Sequence, residues 1–407
     1  MSANIRVMVL TTVPQTMAAF FPRQLSLLAE EGFDVHAVSS PGAELDRLGA
    51  SCGVTTHGIP MERPVSPRRD LVSLFRLVRL MVKLRPQIVH VHTPKAGLLG
   101  MIAATLAGVP VRLYTVHGLP LLTRTGLLRR ILETAERLSS ALSTRTYFVS
   151  NSLRREVIGL KLCPEQKAVT LGAGSCSGVD LNRFFPGPGG AEKRMELGIG
   201  SDVIVATFIG RLAKDKGIGV LAEAWPQVIR QFPQMRLILA GEEDATDPVA
   251  PEVMAALRKE PSVLWLGSVP SEQTPALYRA TDICVLPTFR EGLSQVALEA
   301  GATGVPIVST KVCGVVDPVV DGATGILVEP RDAAALAGAI CQLAASPAMR
   351  TEMGRAGVDY VHSNFSALRV NREWMAEYRN IANTFGQTPC VPADDVSSGG
   401  PLPRSSN

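Results

Sequence analysis

Short apolar runs alternate with segments of helical periodicity through the first 150 residues of the chain. Apolar runs of this length are typical of strands buried inside a parallel sheet. Six predicted strands occupy residues 5–13, 34–40, 54–59, 88–93, 111–117 and 145–150. Four predicted helices lie between them, at residues 18–31, 70–84, 95–107 and 127–142. Strand and helix in turn indicate right-handed βαβ units around a mostly parallel sheet.

The pattern stops where proline and glycine crowd together at residues 184–194, and we place a linker there. The alternation then restarts. Its predicted strands are 203–209, 235–240, 263–266, 283–286, 307–309 and 325–328. Its predicted helices are 220–231, 251–259, 273–280, 295–303 and 333–344. Two doubly wound α/β domains in tandem leave a cleft between the carboxyl ends of their strands.

The predicted organisation has four parts. The first is an N-terminal Rossmann-like domain at 1–186, and the second is a C-terminal Rossmann-like domain at 187–366. Each would bind one of two substrates that meet in the cleft. A helix at 367–385 would cross back to the N-terminal domain. Residues 386–407 lack a core pattern and are predicted to be disordered.

Composition places the chain among globular proteins, with 46% hydrophobic and 19% charged residues in a length of 407. No apolar stretch reaches the roughly 20 residues that a membrane-spanning helix needs. The first residues enter a strand and lack the architecture of a signal peptide. Seven scattered cysteines form no C-x-x-C pair. We therefore expect a cytoplasmic protein with reduced thiols.

Basic residues are concentrated in the first half of the chain. Residues 1–186 hold 22 Lys and Arg against 12 Asp and Glu, whereas the remainder holds 19 against 25. A basic half predicts an anionic partner, such as a membrane surface or a lipid diphosphate. Nucleic acid is disfavoured, because no binding motif and few aromatic residues accompany the charge.

One basic segment has an amphipathic pattern. Along residues 70–85, Arg76, Arg79 and Lys83 lie beside an apolar stripe. This pattern suits a helix in a lipid interface. It suits equally a helix that packs on the core and turns a basic face to water.

Two glutamates, Glu291 and Glu299, stand eight residues apart after the apolar run 283–287. The order of strand, glycine-containing turn and helix puts Glu291 in the turn and Glu299 about two turns further on. Backbone amides at a helix start bind phosphate, and a carboxylate binds sugar hydroxyls. The motif therefore predicts a site that holds an activated sugar by both ends.

A basic loop between Gly210 and Gly217 follows the first strand of the second half. Gly210 allows the backbone to approach an anion, Arg211 offers a forked donor and Lys216 offers a point charge. Such a pair can neutralise a diphosphate as Mg²⁺ does elsewhere. A solvated basic loop is the alternative, but the two glutamates downstream favour the diphosphate.

With these motifs the chain resembles the retaining glycosyltransferases of family 4, which have the GT-B fold of two Rossmann-like domains facing across a cleft. The resemblance covers residues 4–385 and includes the basic loop, the spaced glutamates and the segment 319–328. The segments 90–97, 114–119 and 172–180 are similar to a bacterial branch of the family. Members of that branch build capsule, exopolysaccharide or O-glycan repeat units on polyprenyl-diphosphate carriers.

The resemblance implies roles for particular residues. The first glutamate would contact the transferred sugar, the second the nucleotide ribose, and the basic pair the diphosphate. Backbone after the first glutamate would cradle sugar hydroxyls or the distal phosphate, and a histidine from the first domain would line the reaction centre. The implied catalytic residues are His117, Glu291, Arg211 and Lys216. The implied donor-binding residues are Gly210, Arg211, Lys216, Glu291, Gly292, Leu293, Ser294 and Glu299.

The resemblance also implies that the N-terminal domain, 1–186, binds the acceptor and the C-terminal domain, 187–366, binds the nucleotide sugar. The acceptor side is assigned to Pro14, Gln15, Lys95 and Ser177. Lys95 opens a helix near the cleft and either touches acceptor phosphate or is a surface lysine. Ser177 and Gln295 stand where the branch usually has asparagine, which can change the choice of donor.

His90 and His92 alternate along one strand and therefore share a face. No third ligand accompanies them, so no metal site is expected. The same absence of metal is expected at the diphosphate, and the predicted reaction needs no cofactor.

These features together predict a retaining hexosyltransferase that moves a sugar from a nucleoside-diphosphate sugar, UDP-linked by default, to a lipid-linked saccharide. The product would enter bacterial surface glycan assembly, and the enzyme would touch the anionic inner face of the cytoplasmic membrane. Two alternatives stay open: transfer to a soluble small molecule, and epimerisation of a nucleotide sugar without an acceptor. A NAD-dependent enzyme is disfavoured, because no G-x-G-x-x-G follows an early strand.

Overall fold

A computed structural model of the protein describes residues 5–62 and 66–386. Two parallel β-sheets form its framework. The strands of the first sheet are β1 Arg6–Leu10, β2 Asp34–Ser39, β3 Thr55–Gly58, β4 Ile88–His92, β5 Val111–Val116, β6 Arg145–Phe148 and β7 Ala168–Val169. Those of the second are β8 Val205–Ile209, β9 Arg236–Ala240, β10 Val263–Gly267, β11 Ile283–Leu286, β12 Ile307–Thr310 and β13 Gly325–Val328.

Both sheets are doubly wound. The first runs in the order β3-β2-β1-β4-β5-β6-β7, and the second in the order β10-β9-β8-β11-β12-β13. The order reverses beside β1 in the first sheet and beside β8 in the second, and the strands paired there are parallel. Ligands bind at such reversal points, outside the carboxyl ends of the strands. The fold class predicted from the sequence is therefore confirmed.

Helices cover both faces of each sheet. Those of the first half are α1 Pro14–Phe20, α2 Pro22–Glu30, α3 Ala43–Cys52, α4 Pro67–Leu84, α5 Pro94–Leu106, α6 Gly126–Leu142 and α7 Asn151–Gly159. Those of the second are α8 Gly190–Glu196, α9 Ile218–Gln231, α10 Pro251–Lys259, α11 Thr274–Arg279, α12 Gln295–Ala302, α13 Ala333–Ala345, α14 Pro347–Phe365 and α15 Ala367–Gly386. Within the described residues, no helix has the length and apolar content needed to cross a bilayer.

The region predicted as one helix at 18–31 contains two. Pro14 begins α1 and Pro22 begins α2, because proline lacks an N–H and suits the first position of a helix. Pro14 and Gln15 therefore lie in the first turn of α1 and not in a loop. Five further elements, α3, α7, α8, α14 and β7, were not predicted, and α8 begins inside the predicted linker.

The last described helix, α15, belongs to the core of the first sheet although it follows α14 in the chain. Trp374 and Tyr378 of α15 are buried with the residues of that sheet. The indole N–H of Trp374 donates to the carbonyl oxygen of Ser175 at 3.3 Å, and the Tyr378 hydroxyl is 2.6 Å from His90 Nδ1. The predicted disordered segment 386–407 lies outside the described residues except for Gly386, the last residue of α15.

The chain crosses between the two sheets at two adjacent places. Before the second sheet, Val179 donates its N–H to the carbonyl oxygen of Phe365 at 2.8 Å. On the way back, Ala367 donates to the carbonyl oxygen of Val179 at 2.8 Å. The crossings thus hydrogen-bond to each other, and the domain boundary at 186 stays a prediction.

Candidate active site

The glutamate turn, residues 287–294, leaves the carboxyl end of β11, which lies between β8 and β12 in the second sheet. Glu291 donates its N–H to the carbonyl oxygen of Cys313 at 3.1 Å. Ser294 donates its N–H to the carbonyl oxygen of Gly314 at 2.9 Å, and its hydroxyl caps α12. The N–H of Ser294 is therefore occupied by the loop after β12 and its hydroxyl by the start of α12, so this amide, unlike the predicted role, does not point to a ligand in the structure.

The other two amides of the predicted cradle are free. Among the described residues, the N–H groups of Gly292 and Leu293 have no acceptor. Gly292 packs tightly on the loop after β5, since a Cβ atom there would lie 1.8 Å from the carbonyl oxygen of His117. Glycine is therefore required at 292, and its contact brings the first half of the chain against the glutamate turn.

Lys216 and Glu291 form an ion pair at the centre of the site. Lys216 Nζ donates to Glu291 Oε1 at 2.5 Å, with both side chains about one-fifth exposed. The pair depends on Gly217, whose φ is +73° and whose Cβ would lie 1.8 Å from the carbonyl oxygen of Pro287. Close packing of the loop after β8 on the loop after β11 therefore unites residues 75 positions apart.

Arg211 lies further out than Lys216. Its guanidinium contacts the Asp244 carboxylate and is 4.0 Å from Asp215 Oδ2, and its side chain is 53% exposed. Gly210, directly before it, has a φ of +142° and packs against Gly241. No contact among the described residues joins Arg211 to Lys216 or Glu291, but both basic side chains flank Asp215 along one short loop.

Asp215 and Arg290 are functional candidates that the sequence analysis missed. Asp215 is 5% exposed, and its Oδ2 accepts from Arg290 Nη2 at 2.7 Å. The carbonyl oxygen of Asp215 accepts from the N–H of Phe289 at 2.8 Å. Arg290 also donates through Nε to Thr123 Oγ1 at 2.9 Å, across to the first half. Their positions in the sequence were the clue that could have identified them, because Asp215 lies between two lysines of the basic loop and Arg290 directly precedes Glu291.

Glu299 is the fifth residue of α12, which begins at Gln295 as predicted. Tyr278 donates its hydroxyl to Glu299 Oε2 at 3.1 Å. Burial raises the pKa of the Glu299 carboxyl to about 7, although the Tyr278 hydrogen bond and the charge of Arg183 act in the opposite direction. A carboxyl with this pKa changes between its neutral and its ionised form near neutral pH.

His117 follows β5 and hydrogen-bonds to a second histidine. His117 Nε2 is 3.0 Å from His92 Nδ1, and the edge of the Phe21 ring packs on it. Burial lowers the pKa of His117 to about 4, so the ring is neutral at pH 7. His92 Nε2 is buried without a partner among the described residues. A buried N–H without an acceptor is rarer than an unpaired acceptor, so Nε2 of His92 carries no proton. The His92 proton is therefore on Nδ1, which donates to His117 Nε2. His117 in turn carries its own proton on Nδ1.

His90 and His92 share one face of β4, as predicted, with ring centroids 4.1 Å apart. His90 is fully committed to the core, since it contacts Tyr378 on one side and Thr115 Oγ1 at 2.7 Å on the other. Across residues 5–62 and 66–386, no group of three or more His, Cys, Asp or Glu is placed to hold a metal ion.

The predicted acceptor residues lie at the carboxyl edge of the first sheet. The loops after β1 and β4 meet there, where Thr12 Oγ1 is 2.7 Å from Thr93 Oγ1. Lys95 donates to Asp70 Oδ1 of α4 at 2.7 Å. Gln15 donates to Glu44 at 3.4 Å, while Pro14 is buried.

Ser177 belongs to a separate loop that reaches the second sheet. The neighbouring Gly178 carbonyl oxygen accepts from Gln295 Nε2 at 3.3 Å. The two positions that depart from the bacterial branch, Ser177 and Gln295, are thus joined through one residue. Ser177 itself hydrogen-bonds within its own loop, to Ser175 Oγ and to the carbonyl oxygen of Gly178.

The chain matches two domain families. Residues 16–174 match the description "Glycosyl transferase 4-like domain", and residues 204–346 match "Glycosyl transferases group 1". The first match covers most of the first sheet and the second match covers the second sheet. The glutamate turn and the basic loop both lie inside the second match.

Three characterised relatives show how far the likeness extends. The capsular polysaccharide biosynthesis glycosyltransferase CapM of Staphylococcus aureus is 32% identical over 89% of this chain and 93% of its own length. The Escherichia coli UDP-Gal:alpha-D-GlcNAc-diphosphoundecaprenol alpha-1,3-galactosyltransferase is 29% identical over 76% and 80%. The D-inositol 3-phosphate glycosyltransferase of Acidothermus cellulolyticus is 29% identical over 72% and 69%.

Solved structures share the fold at low sequence identity. Sucrose-phosphate synthase from Thermosynechococcus elongatus superposes with a TM-score of 0.77 at 20% identity, over 94% of this chain and 100% of that one. The Anabaena protein HepE, solved in complex with UDP, gives 0.74 at 18% identity over 95% and 100%. The chain therefore belongs to the group 1, family 4 glycosyltransferases, retaining hexosyltransferases with the GT-B fold.

Proposed function

We propose that this glycosyltransferase moves a sugar from a UDP-sugar to a saccharide carried on a polyprenyl diphosphate, in the assembly of a bacterial surface glycan. One relative supports this acceptor class by its name, as a transferase to a diphosphoundecaprenol-linked sugar. The name of another, a capsular polysaccharide enzyme, supports the assembly of a surface glycan. The UDP complex of a structural neighbour supports the nucleotide. The observation that carries the proposal is the meeting of three loops, after β5, β8 and β11, around the Lys216–Glu291 pair.

The donor is proposed to lie along the second sheet. Lys216 and Arg211 would bind the diphosphate, whose negative charge grows as the bond to the sugar breaks. Removing one such group typically costs about 3–4 kcal/mol of transition-state stabilisation. The free amides of Gly292 and Leu293 suit a phosphate or sugar oxygen, and Glu299 suits the paired hydroxyls of a ribose.

The configuration at the anomeric carbon is retained when the acceptor oxygen approaches the face of the sugar from which the phosphate departs. The bond between the anomeric carbon and the phosphate oxygen breaks, and a bond from that carbon to the acceptor oxygen forms. The acceptor proton passes to the departing phosphate oxygen, so no protein base is required. Glu291 would orient the sugar for this approach, and the neutral His117 would line the same face without adding charge.

The proposal makes the reaction independent of added divalent metal. Arg211 and Lys216 supply the positive charge that a Mg²⁺ ion supplies in other nucleotide-sugar enzymes. Transfer should therefore continue in EDTA at an unchanged rate. A rate that falls in EDTA and returns with Mg²⁺ or Mn²⁺ would contradict this part of the proposal.

The test has two steps. A thermal-shift screen of nucleoside diphosphates and their sugars identifies the donor, because a ligand at 100 times its Kd adds about 2.7 kcal/mol of stability. The radiolabelled donor is then incubated with a polyprenyl-diphosphate-linked monosaccharide, and the product is extracted into butanol. Label in the organic phase supports the lipid-linked acceptor, whereas label in water with a soluble alcohol contradicts it.

Transfer to a soluble acceptor is the second candidate, since a relative of similar identity is a D-inositol 3-phosphate glycosyltransferase. The same extraction separates the two, because inositol phosphate products stay in water. A nucleotide-sugar epimerase is distinguished by incubation of the donor alone, since epimerisation needs no acceptor.

A further inference from the structure

The exposed large hydrophobic side chains are not spread evenly over the molecule. Of fourteen such residues in the described part of the chain, nine lie on α4, α5 and α6. Six of the nine, here called the apolar set, fall in the first three turns of α4 and the first two turns of α6. They are Leu71, Val72, Phe75, Leu127, Leu128 and Ile131. Helix α5 lies between α4 and α6 and packs on both, so the set forms two apolar patches on one helical layer. Exposed apolar patches of this kind mark interaction sites.

The segment that contains these helices carries more than half of the Lys and Arg residues of the first half. Residues 66–142 contain 12 Lys and Arg but only 3 Asp and Glu. Each acid has a partner: Asp70 is 2.7 Å from Lys95, Glu133 is 2.9 Å from Arg129, and buried Glu136 accepts from Tyr114 at 3.1 Å. The outer surface of the layer is therefore basic, with its acids already paired.

Three basic residues of α4 follow the apolar set along the helix. Arg76, Arg79 and Lys83 are exposed, at spacings that place them on the outer face, and are here called the basic set. Arg68 and Arg69, also exposed, precede the apolar set in the first turn, so the apolar side chains of α4 have basic residues on both sides along the helix. This combination complements an anionic lipid surface, in which acyl chains lie beneath phosphate groups.

Both helices begin at the cleft. α6 starts three residues after Thr123, whose hydroxyl accepts from Arg290 of the glutamate turn at 2.9 Å. The start of α4 is tied to the start of α5 by the Asp70–Lys95 pair, and α5 begins directly after β4. The apolar set therefore lies on the part of the helical layer that is next to the mouth of the site.

We infer that the outer face of α4 and α6 docks on an anionic lipid bilayer, with the apolar set inserted beside the cleft mouth and the basic set on lipid phosphates. The inference rests on the proposed function for its purpose, since a lipid-linked acceptor must enter the cleft from the bilayer. It adds the orientation of the enzyme: the starts of α4 and α6 face the membrane, so the acceptor diphosphate crosses a short distance to reach the glutamate turn.

The inference is tested by flotation of the full-length protein with vesicles of phosphatidylglycerol and phosphatidylcholine, and of phosphatidylcholine alone, without any substrate. The wild type should bind the anionic vesicles and release them at high salt. The charge variant Arg76→Gln/Arg79→Gln/Lys83→Gln should lose about a hundredfold in binding, because each basic residue near such a surface contributes about fivefold. The apolar variant Phe75→Ser/Leu127→Ser should lose binding at least tenfold.

Matched controls remove the same groups elsewhere. Met195→Ser/Leu368→Ser deletes two apolar side chains of similar exposure, 75% and 73% against 67% and 74%. Arg230→Gln/Lys259→Gln/Arg355→Gln deletes three exposed charges from the second half. Both controls should bind vesicles as the wild type does. The thermal shift produced by UDP should be unchanged in all four variants, which shows that each is folded.

Three results would overturn the inference. One is failure of the wild type to bind anionic vesicles. Another is equal loss of binding in the controls and the α4 and α6 variants. A third is a dimer in solution that Phe75→Ser/Leu127→Ser converts to monomer, because the surface would then join two copies of the chain. Vesicle binding through these helices without sugar transfer to a lipid-linked acceptor would contradict the proposed function and leave the docking surface standing.

Discussion

At the scale of single residues, the loop from Gly210 to Gly217 separates groups that bind from groups that position. Lys216 reaches Glu291 at 2.5 Å, whereas Asp215 turns inward to Arg290 at 2.7 Å. Lys214, in the same short 3-10 turn, is exposed. One turn therefore offers two lysines in nearly the same backbone setting with different surroundings.

Lys216→Ala should lower kcat by a factor of about 10²–10³, because a charge that stabilises the departing diphosphate is lost. Lys214→Ala is the matched control and should keep kcat within about twofold, since surface substitutions cost little. Both are measured as initial rates with the donor identified by thermal shift. Equal rates in the two variants would remove Lys216 from the reaction.

Glu299 gives a second prediction at this scale. Its carboxyl loses its proton near pH 7 in the empty enzyme, and the ionised form accepts hydrogen bonds from ribose hydroxyls better than the neutral form does. The affinity for the UDP-sugar should therefore rise between pH 6 and pH 8. In Glu299→Gln the affinity should be lower at pH 8 and independent of pH across this range.

The titration uses the UDP-sugar and not UDP, because a terminal phosphate titrates near pH 6 itself. Calorimetric titrations at four pH values are enough. A wild-type affinity that is flat with pH, or a slope that persists in the variant, would assign the effect to another group.

At the scale of elements, the sequence predicted strands better than helices. The buried strands of both sheets are apolar runs, and the predicted bounds of β11 and β13 agree with the structure. α14 was missed because its buried face includes Gly354 and Gly357. Glycine there allows close packing on the turn that follows α12: a Cβ at Gly354 would lie 2.2 Å from the carbonyl oxygen of Gly304. A helix that packs through glycine lacks the apolar periodicity on which sequence prediction depends.

In the candidate site, too, features that are local in sequence were predicted and features that depend on packing were not. The spaced glutamates and the basic loop were visible because each is local in sequence. The Asp215–Arg290 pair and the His92–His117 pair were not assigned, because each joins segments at least 25 residues apart. Which of two lysines turns toward Glu291 depends on how Gly217 packs on Pro287, which no local pattern contains.

α15 provides a prediction for this scale. Trp374 is 3% exposed and fills the first core from a helix that follows the second sheet. Trp374→Ala should lower the free energy of unfolding by about 3–5 kcal/mol through the lost contacts and the cavity. Arg372→Ala, at an exposed position of the same helix, should change it by less than about 0.5 kcal/mol. Urea denaturation followed by tryptophan fluorescence and circular dichroism measures both.

At the scale of the whole molecule, buried titratable groups in the first half set how stability changes with pH. Burial lowers the pKa of His90 to about 3 and of His117 to about 4, whereas it raises the pKa of Glu136 to about 7. The histidines bind fewer protons when folded, so stability falls as the pH drops from 6.5 through 4. Glu136 binds a proton more readily when folded, so its contribution falls as the pH rises from 4.5 through 7.

Because two histidines oppose one carboxyl, the Tm should change little near pH 7, fall as the pH drops below about 6 and fall more steeply below about pH 4.5. Glu136→Gln isolates one contribution, because glutamine keeps an acceptor for the Tyr114 hydroxyl. Relative to the wild type, this variant should be most stabilised above pH 7 and should lose that advantage as the pH falls to 4.5. A difference in Tm that does not change with pH would show that Glu136 keeps its ordinary pKa.

The paired crossings between the sheets have a consequence for dissecting the enzyme. A fragment that stops at 186 would lack the α15 side chains that complete its interior, and a fragment that starts at 187 would carry α15 with nothing to cover it. Cutting the gene in two therefore cannot yield independent halves. A self-sufficient N-terminal piece would have to be built by circular permutation, with residues 367–386 joined ahead of β1.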